Sequence, residues 1–435
     1  MKRVLVLGTG LVAPPLIDYL LQRYKISVSD IDRDRAQNLM GNHPNGQFLE
    51  IKVNDPEDLR NKIQGHDLVV SLLPPPYHPK VAQACLDASS HLVTASYIGP
   101  EMSAYDDQAR EKSLIFLNEM GLDPGLDHMT VMEVLDIVRQ EGGTVRAFYS
   151  HAGGLPSRKA ATNPLRYKFS WSPRGVLGAL TRPSKFRLNN EMVVIQGPEN
   201  LDFSRVLHLP GIGVFESNPN ADSIFYAEKY GLSDTPTVRR STLRFPGWGI
   251  FWRFMIKHNL MDSQTTLACK GLTPEKGLLL ASGPHRESLK NWILSDCGDR
   301  ASFILEVLDD LGVFGDELLT EDLTAFEIIL QLAQKRWQFE PGETDWVVMV
   351  HELTCDFPSG PQLIRSSFIR EGIPDGLSAM AVLVGLPAAI GARLVLDGHI
   401  QTRGVLAPMT PDIYRPVLEE MQGLGYGHRL ERLAL

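Results

Sequence analysis

The first third of the chain alternates short apolar, β-branched runs with polar helix-like segments. This alternation predicts a parallel sheet built from strand–helix–strand units, and therefore an α/β fold. Asp55 and Pro56 support one of the helices, because Asp55 can cap its first turn and Pro56 suits the first helical position. The predicted strands are Arg3 to Gly8, Lys25 to Asp30, Phe48 to Val53, Asp67 to Leu73, His91 to Ala95 and Leu114 to Asn118.

The pattern changes after residue 124, where strand-like runs such as VRAFYSHA, MVVIQG, WVVMV and LIRSSFI become prominent. It predicts a second, mixed α/β domain over residues 125–245 and 340–389, interrupted by a helical insertion over 246–339. Within the insertion, Leu323, Phe326, Leu330 and Ala333 have the spacing of one helix face, with Thr320 as the expected cap. A helix rich in small residues is expected from about Gly376 to Leu396.

Composition excludes several classes of protein. The 435 residues are 43% hydrophobic and 22% charged, as in an ordinary globular protein, and the net charge of −9 does not suit a nucleic-acid partner. The most apolar later stretch, Trp248 to Ile256, is too short to span a bilayer and contains Arg253, so we expect a soluble protein without a membrane segment.

The four cysteines indicate the compartment. They are far apart and form no pair or cluster at metal-ligand spacing: Cys85, Cys269, Cys297 and Cys355. We therefore expect reduced, buried thiols in a cytoplasmic protein, and no metal site.

A glycine motif follows the first predicted strand. Gly8, Gly10 and Ala13 fit the G-x-G-x-x-G/A pattern at the start of a helix. Gly8 allows a tight turn, Gly10 lets the backbone approach a pyrophosphate, and Ala13 permits close helix packing. Asp30 ends the second strand, where a carboxylate can hold ribose hydroxyls. Together these residues predict residues 1–124 to be a dinucleotide-binding domain of the Rossmann type.

The choice between NAD and NADP depends on the residues around Asp30. Its charge would repel the 2′-phosphate of NADP, whereas Arg33 and Arg35 could attract it. We expect NAD, with NADP as the alternative.

Three loops follow neighbouring strands at the carboxyl edge of the predicted sheet, where ligands bind in open α/β folds. They are Ser71 to Pro76, Thr94 to Tyr97 and Asn118 to His128. The first of them is Pro-rich, and its alternative interpretation is a loop without function. We expect the last two loops to meet over the nicotinamide. There Tyr97 and Asp123 could bind an amino group or relay a proton.

Other polar residues allow a functional and a structural interpretation. Asp127 can cap the helix after its loop, and His128 is typical of a packing histidine. Lys168 and Arg174, in a polar and aromatic stretch, either bind carboxylates or phosphates or are solvated surface charges. A second basic cluster, of Arg239, Arg240 and Arg244, is consistent with binding a polycarboxylate. Alternatively, strand alternation places Arg240 and Arg244 on one exposed face.

Longer motifs add a family resemblance that runs almost end to end. They are GTGLVAPP, SLLPPPYHPKVAQAC, VTASYIGPEM, NEMGLDPGLDHM, GGLP, NPLRYKFSWSPRGVL, STLRFPGW, SAMAVLVGLPAAIGARLVLDG and RGVLAPMTPDIY. Together they resemble the L-glutamate-forming saccharopine dehydrogenases, also called saccharopine reductases.

The resemblance implies a Rossmann domain, a substrate domain that often mediates dimerisation, and a helical domain inserted into it. The C-terminal part, about 390–435, is then expected to return to the Rossmann domain, and the protein to form a homodimer. The implied chemistry is reversible: an amino acid and aminoadipate semialdehyde condense to an imine, which hydride from the nicotinamide reduces to a secondary amine.

The resemblance also implies site residues. Implied cofactor contacts are Thr9, Gly10, Leu11, Val12, Leu73, Pro74, Ala95, Ser96, Tyr97, Leu122, Asp123 and Pro124. Implied substrate contacts are Ser96, Tyr97, Asp123, Thr242, Leu243 and Arg244.

Three positions depart from the family pattern. The segment beginning at Asp30 is Asp-Ile-Asp, where NADP-using members tend to carry Cys-Arg-Thr. Ala221 stands in place of an arginine that holds a substrate carboxylate, a loss of about 2 kcal/mol or more. Ala152 replaces a cysteine, and the neighbouring His151 suits proton transfer unless strand alternation turns it away.

The sequence thus predicts an NAD(P)-dependent oxidoreductase acting on the secondary amine of saccharopine or a related N-substituted amino acid, with Asp123, Tyr97 and His151 as candidate proton donors. One alternative is a dehydrogenase of the carboxynorspermidine kind, in polyamine metabolism. The other is a nucleotide-binding regulatory protein without catalysis.

Overall fold

The computed structural model describes residues 1–283 and 288–435. These residues form two compact units, one of Met1–Val145 with Thr354–Leu435 and one of Arg146–Leu353. This division is coarser than the three predicted domains, whose limits stay a prediction.

The chain begins with the predicted alternation of strands and helices. The predicted strand Phe48 to Val53 is displaced, because the extended pairing with the second strand ends at Phe48. The strands are β1 (Arg3–Leu7), β2 (Lys25–Ser29), β3 (Gly46–Phe48), β4 (Leu68–Ser71), β5 (His91–Thr94) and β6 (Ile115–Leu117). The helices are α1 (Ala13–Leu21), α2 (Arg33–Met40), α3 (Pro56–Ile63), α4 (His78–Ala88), α5 (Pro100–Ser103), α6 (Asp106–Glu111) and α7 (Leu126–Gln140).

The middle of the chain holds a second set of elements. The strands are β7 (Thr144–Pro156), β8 (Ser184–Leu188), β9 (Glu191–Ile195), β10 (Arg205–Leu209), β11 (Gly213–Pro219), β12 (Thr237–Arg244), β13 (Thr266–Leu267), β14 (Leu323–Thr324) and β15 (Asp345–Phe357). The helices are α8 (Pro173–Gly178), α9 (Ser223–Tyr230), α10 (Trp248–Lys257), α11 (Pro274–Ala281), α12 (Leu289–Asp296), α13 (Ala301–Asp310) and α14 (Ala325–Arg336). The C-terminal elements are β16 (Gly360–Glu371), α15 (Ala379–Leu396), β17 (Gly404–Leu406), α16 (Pro411–Gly423) and β18 (Arg429–Ala434).

The first unit contains a seven-stranded parallel sheet with the order β17-β6-β5-β4-β1-β2-β3. Its central strands are largely apolar and buried, since Val4 to Leu7 of β1 are 0% exposed, as expected for a sheet covered on both faces. The strand order reverses between β1 and β4, and this switch point opens a crevice at the carboxyl edge. β17, close to the C-terminus, completes the sheet beside β6.

Helix α15 packs closely against α1 because Gly385 has no side chain. A Cβ atom on Gly385 would lie 2.5 Å from the Val12 carbonyl oxygen. By length and composition alone α15 could cross a membrane, but 83% of its residues are buried within the structure. That burial is typical of a core helix, and it explains the run of small residues in this segment.

The second unit contains a mixed sheet. Its strands follow the order β10-β11-β12-β7-β15, with β12 parallel to β7 and antiparallel to β11. β8 pairs with both β12 and β9.

The helices α10 to α14 of the second unit enclose an apolar core. The segment Trp248 to Ile256 belongs to it, since Trp248 is 2% and Trp252 0% exposed. Helix α14 is capped by Thr324, which forms a reciprocal capping box with Glu327. The expected cap at Thr320 was therefore wrong, because Leu323 lies in the short strand β14.

Candidate functional site

The glycine turn after β1 has the geometry of a phosphate site. Gly8 has a φ of +96° and approaches Leu72 so closely that a Cβ atom would lie 3.2 Å from its carbonyl carbon. A Cβ on Gly10 would meet no atom within 4 Å, so this position faces open space. Helix α1 begins without a side-chain cap or an acidic residue in its first turn. The positive dipole of this helix is thus left for an anionic ligand, such as the pyrophosphate of a dinucleotide. The first turn itself supplies no free N–H, because Pro14 and Pro15 have none and the Ala13 N–H donates to the Gly10 carbonyl at 3.1 Å.

Asp30 follows β2 and fixes the glycine turn. Its carboxylate accepts hydrogen bonds from the Thr9 N–H at 2.5 Å and the Asp32 N–H at 2.9 Å. Burial raises the pKa of Asp30, but these hydrogen bonds outweigh it, and its pKa lies below the ordinary value. Asp30 is therefore a carboxylate at neutral pH, at the place where ribose hydroxyls bind in this fold.

Tyr97 and Asp123 come together at the carboxyl edge of the same sheet. Tyr97 follows β5, Asp123 follows β6, and the Tyr97 hydroxyl donates a hydrogen bond to the Asp123 carboxylate at 2.5 Å. The expected meeting of these two loops is thus present. Tyr97 is 36% exposed, so the pair is open to a ligand.

Buried polar residues form hydrogen bonds and ion pairs around the loop that carries Asp123. Asp127 accepts the Gly125 N–H at 2.6 Å, and Glu119 accepts the Ile98 N–H at 3.0 Å. His128 lies between the two carboxylates, 3.2 Å from Glu119 and 3.3 Å from Asp127. All three side chains are at most 1% exposed. Asp127 is not the expected cap of α7, whose cap residue is Gly125, but it is hydrogen-bonded to the backbone of that residue. His128 is fully buried, as expected for a packing histidine.

In the second unit, Thr242 and Arg244 occupy one face of the mixed sheet. Strand β12 pairs in parallel with β7, with Thr242 opposite Ala152 and Ser241 opposite His151. Because alternate residues point to opposite faces, Ala152 shares the face of Thr242 and Arg244, whereas His151 does not. The Leu243 side chain also faces the other way, into the core beside Leu155 and Phe215.

His151 is a poor candidate for the proton donor. Its Nδ1 lies 3.2 Å from the Ser217 hydroxyl, on the sheet face opposite Arg244. Burial and the nearby Arg239 charge lower the pKa of His151 to about 3. The imidazole is therefore neutral and carries no transferable proton of the imidazolium kind near pH 7. His151 was a candidate because its unperturbed pKa suits proton transfer near neutral pH. Its burial in β7 lowers that pKa, and the sequence does not show this burial.

Arg244 is a buried cation. Its guanidinium lies over the rings of Tyr167, at 5.1 Å, and Trp248, at 4.9 Å. Burial lowers the pKa of Arg244. Among the described residues its Nε has no hydrogen-bond partner, and such a group is satisfied by an anionic ligand such as a carboxylate.

The remaining basic candidates have structural partners. Lys168 is buried and pairs with Glu343 at 2.5 Å. Arg174 has 65% of its side chain exposed and lies 4.0 Å from Glu327, as expected for a surface charge. Arg240 is 2% and Arg244 5% exposed, so the interpretation that placed these two arginines on an exposed strand face was wrong.

The cysteines agree with their predicted state in part. None of the four forms a disulfide, and Cys85, Cys269 and Cys355 are buried. Cys297 is only half-buried, since it follows the end of α12. Over residues 1–283 and 288–435, no group of three or more His, Cys, Asp and Glu side chains could hold a metal ion.

One polar feature was missed by the sequence interpretation. His78 connects the Ser71 hydroxyl to the Ser96 hydroxyl through its two ring nitrogens, at 3.0 and 2.8 Å. Its signal was present, because His78 directly follows the Pro-rich loop after β4. Only the fold shows that its ring reaches the loop after β5.

Comparison with known proteins supplies the family. Residues 4–117 match the model of the saccharopine dehydrogenase NADP binding domain, and residues 121–426 match that of the saccharopine dehydrogenase C-terminal domain. The chain belongs to the saccharopine dehydrogenase family. The loops with Asp30, Tyr97 and Asp123 therefore lie in or beside the nucleotide-binding part of a family member.

Several relatives cover nearly the whole chain. The NADP(+)-dependent, L-glutamate-forming saccharopine dehydrogenase of Pyricularia oryzae is 33% identical over 97% of this chain and 96% of its own length. The mitochondrial alpha-aminoadipic semialdehyde synthase of Rattus norvegicus is 35% identical over 98% of this chain but only 47% of its own. The chain thus spans about half the length of the synthases it matches.

A solved structure supports the fold. The apo saccharopine dehydrogenase (L-Glu forming) from Saccharomyces cerevisiae superposes with a TM-score of 0.85 at 28% identity, covering 100% of both chains. The predicted α/β fold, with a Rossmann-type sheet and a second mixed domain, is confirmed. Use of NAD(P) also follows, since the matched domain is named for NADP binding.

The family's carboxylate-binding arginine position holds Ala221 in this member. Ala221 has a left-handed backbone, with a φ of +50°, which an alanine rarely adopts. The loop keeps this shape because the Ala221 carbonyl accepts the Lys185 N–H at 3.0 Å and Asp222 caps α9. The shape of this loop is therefore held by backbone and capping hydrogen bonds, and not by the side chain at position 221.

Proposed function

We propose that the protein is an NAD(P)-dependent oxidoreductase of CH–NH donors that oxidises the secondary amine of saccharopine, or of a closely related N-substituted amino acid. The observation that carries the proposal is the hydrogen bond of 2.5 Å between Tyr97 and Asp123, beside the glycine turn of a dinucleotide-binding sheet. The names of the relatives that match nearly end to end support the choice of saccharopine.

The chain's own residues would divide the chemistry between them. A bound nicotinamide accepts or supplies the hydride at the amine-bearing carbon. The Asp123 carboxylate, which already accepts a hydrogen bond from Tyr97, would take the proton of the substrate amine during oxidation and return it during reduction. Within the second unit, Arg244 has the chemistry to bind a carboxylate, since its guanidinium lies over two aromatic rings. Within the first unit, the Tyr97–Asp123 pair would hold the charge of the reacting nitrogen.

The nucleotide preference is a further proposal. Asp30 is ionised and lies where the ribose binds, so we propose that NAD is favoured over NADP. The relatives argue for the opposite, since they are named for NADP(+). Parallel assays with both nucleotides decide the question.

We also propose a cytoplasmic homodimer. Cysteines without disulfides fit a reducing compartment. Strands β9 and β10 each lie at a sheet edge and expose apolar side chains, with Val194 61% and Val206 75% exposed. Analytical ultracentrifugation tests the dimer, and a monomer at micromolar concentration would contradict it.

The decisive experiment is the rate of nicotinamide reduction with L-saccharopine, with NAD and NADP in parallel. A panel of N-substituted amino acids and carboxylated polyamines is run beside it. Turnover with saccharopine supports the proposal. Turnover with polyamine substrates alone would favour the carboxynorspermidine alternative, for which the missing charge at Ala221 is the argument. Nucleotide binding without any turnover would favour a regulatory protein.

A further inference from the structure

A chain of hydrogen bonds crosses the carboxyl edge of the parallel sheet behind the candidate site. Ser71 is the last residue of β4, His78 opens α4, and Ser96 lies just beyond β5. The His78 ring links the two hydroxyls, with Nδ1 3.0 Å from Ser71 Oγ and Nε2 2.8 Å from Ser96 Oγ. Ser71 is 0% and His78 4% exposed, so the inner part of this chain is shielded from water.

The surroundings of Ser71 determine where the protons lie. Within residues 1–283 and 288–435, the Ser71 hydroxyl has no hydrogen bond other than the one to His78. A buried hydroxyl that donates to nothing is costly, so the Ser71 O–H donates to Nδ1. Nδ1 therefore carries no proton, and the ring proton lies on Nε2. Burial lowers the pKa of His78 to about 4, which keeps the ring neutral, with a single proton, near pH 7.

This arrangement fixes the role of Ser96. With the proton on Nε2, His78 donates to Ser96 Oγ, and the hydroxyl proton of Ser96 is left for another acceptor. The backbone of Ser96 is already held, since its N–H donates to Thr94 Oγ1 at 3.0 Å and its carbonyl accepts the Glu119 N–H at 3.1 Å. The Ser96 hydroxyl is half-buried beside Tyr97, at the ligand-facing edge.

We propose that His78 is a positioning residue, which through the Ser71–His78–Ser96 hydrogen-bond chain makes Ser96 an obligate hydrogen-bond donor to an acceptor oxygen of the bound ligand. The acceptor is a carbonyl or carboxylate oxygen, supplied either by the carboxamide of the nicotinamide or by the substrate. The identity of the ligand rests on the proposed function; the proton positions do not.

The first test needs neither a variant nor turnover. Long-range proton–nitrogen correlation spectra of protein labelled with ¹⁵N-histidine distinguish the two tautomers of a neutral ring. His78→Gln assigns the His78 signals by their disappearance. We expect a protonated Nε2 and an unprotonated Nδ1. Protonation on Nδ1 would overturn the proposal, because Ser96 would then have to donate to His78.

The second test compares variants by kinetics and by direct nucleotide binding. Ser96→Ala should weaken binding about tenfold, the effect of one lost hydrogen bond. His78→Leu should have a similar effect, and the two losses should not add in the double variant. His78→Gln keeps an N–H donor for Ser96 and should recover most of the loss. A rise in the Kd for NAD or NADP assigns the acceptor to the cofactor, and a rise in KM alone assigns it to the substrate.

His66→Leu is the matched control for His78→Leu. His66 is also buried and also contacts a serine, with Nε2 2.9 Å from Ser27 Oγ, but Ser27 lies within β2 rather than at its carboxyl end. This variant should leave Kd and KM unchanged. Equal losses in His66→Leu and His78→Leu, or additive losses in the double variant, would show a purely structural role for His78. If wild-type protein does not oxidise saccharopine, the proposed function fails, while the tautomer and the nucleotide Kd still decide this inference.

Discussion

At the scale of single residues, the role of the Tyr97–Asp123 pair can be tested directly by substitution. Asp123→Ala removes the carboxylate that would take the amine proton, so kcat with saccharopine should fall by about 10²–10⁴-fold. The Kd for the nucleotide should change little, because phosphate binding depends on the turn after β1. Stopped-flow kinetics and fluorescence titration separate the two effects. Asp107→Asn, at an exposed position of α6, is the control. Full activity in Asp123→Ala would exclude the carboxylate from proton transfer.

A second residue-scale prediction concerns Asp30. Asp30→Ser removes the charge that opposes a 2′-phosphate, and a neutral side chain keeps an oxygen near the turn. The ratio of NADP to NAD affinity should therefore rise by about fivefold or more, from Coulomb repulsion of about 1 kcal/mol or above at 4 Å. Asp32→Ser is the comparison, since serine can still accept the Arg35 N–H that Asp32 now accepts at 2.9 Å. An equal ratio of NADP to NAD affinity in wild type and Asp30→Ser would mean that Asp30 only holds the glycine turn and does not select the nucleotide.

At the scale of elements, the contact of α1 with α15 sets a limit on side-chain size. Gly385→Ala places a Cβ atom 2.5 Å from the Val12 carbonyl oxygen and 2.8 Å from Pro15. Overpacking of this kind should destabilise the first unit by about 1–3 kcal/mol. Because Val12 precedes α1, nucleotide affinity should fall together with stability. Urea denaturation and nucleotide titration measure both.

Gly423→Ala provides the matched control in another helix. A Cβ on Gly423, at the end of α16, meets no atom within 4 Å. Alanine has the higher helix propensity, so this variant should be neutral or stabilised by up to about 1 kcal/mol. If Gly385→Ala were equally harmless, α15 would have freedom to move away from α1.

The elements also show how far the sequence could predict this protein. Local signals sufficed where chemistry and periodicity coincide, as in the strand–turn–helix from β1 to α1 and the helix capped by Asp55. They failed where two signals compete, as at α14, where Thr320 and Thr324 are both plausible caps and only β14 distinguishes them. In the candidate site, the sequence predicted which loops carry the functional residues, such as those with Tyr97 and Asp123. The burial of His151 and the reach of His78 depend on neighbouring strands that no local pattern specifies.

At the scale of the whole molecule, buried neutral histidines make stability depend on pH. Burial lowers the pKa of His78 to about 4 and that of His151 to about 3, against about 6.5 in an unfolded chain. Between these values the unfolded chain binds more protons than the native protein, so the free energy of unfolding falls as the pH falls. The contribution is fully present above about pH 6.5, and each histidine adds a slope of at most about 1.4 kcal/mol per pH unit below it.

Denaturant unfolding at several pH values between about 7 and 5 measures this slope. His151→Gln should reduce the slope even if it lowers stability at neutral pH, because the variant no longer has that titrating group. The carboxylates Asp30, Asp67 and Asp106, whose pKa values lie below the ordinary range despite the opposing effect of burial, contribute to acid unfolding only below about pH 4. Between pH 5 and 7 these carboxylates therefore do not change the free energy of unfolding, and the histidines do. An unchanged slope in His151→Gln would mean that the imidazole charges within the native protein, and it would then return as a candidate proton donor.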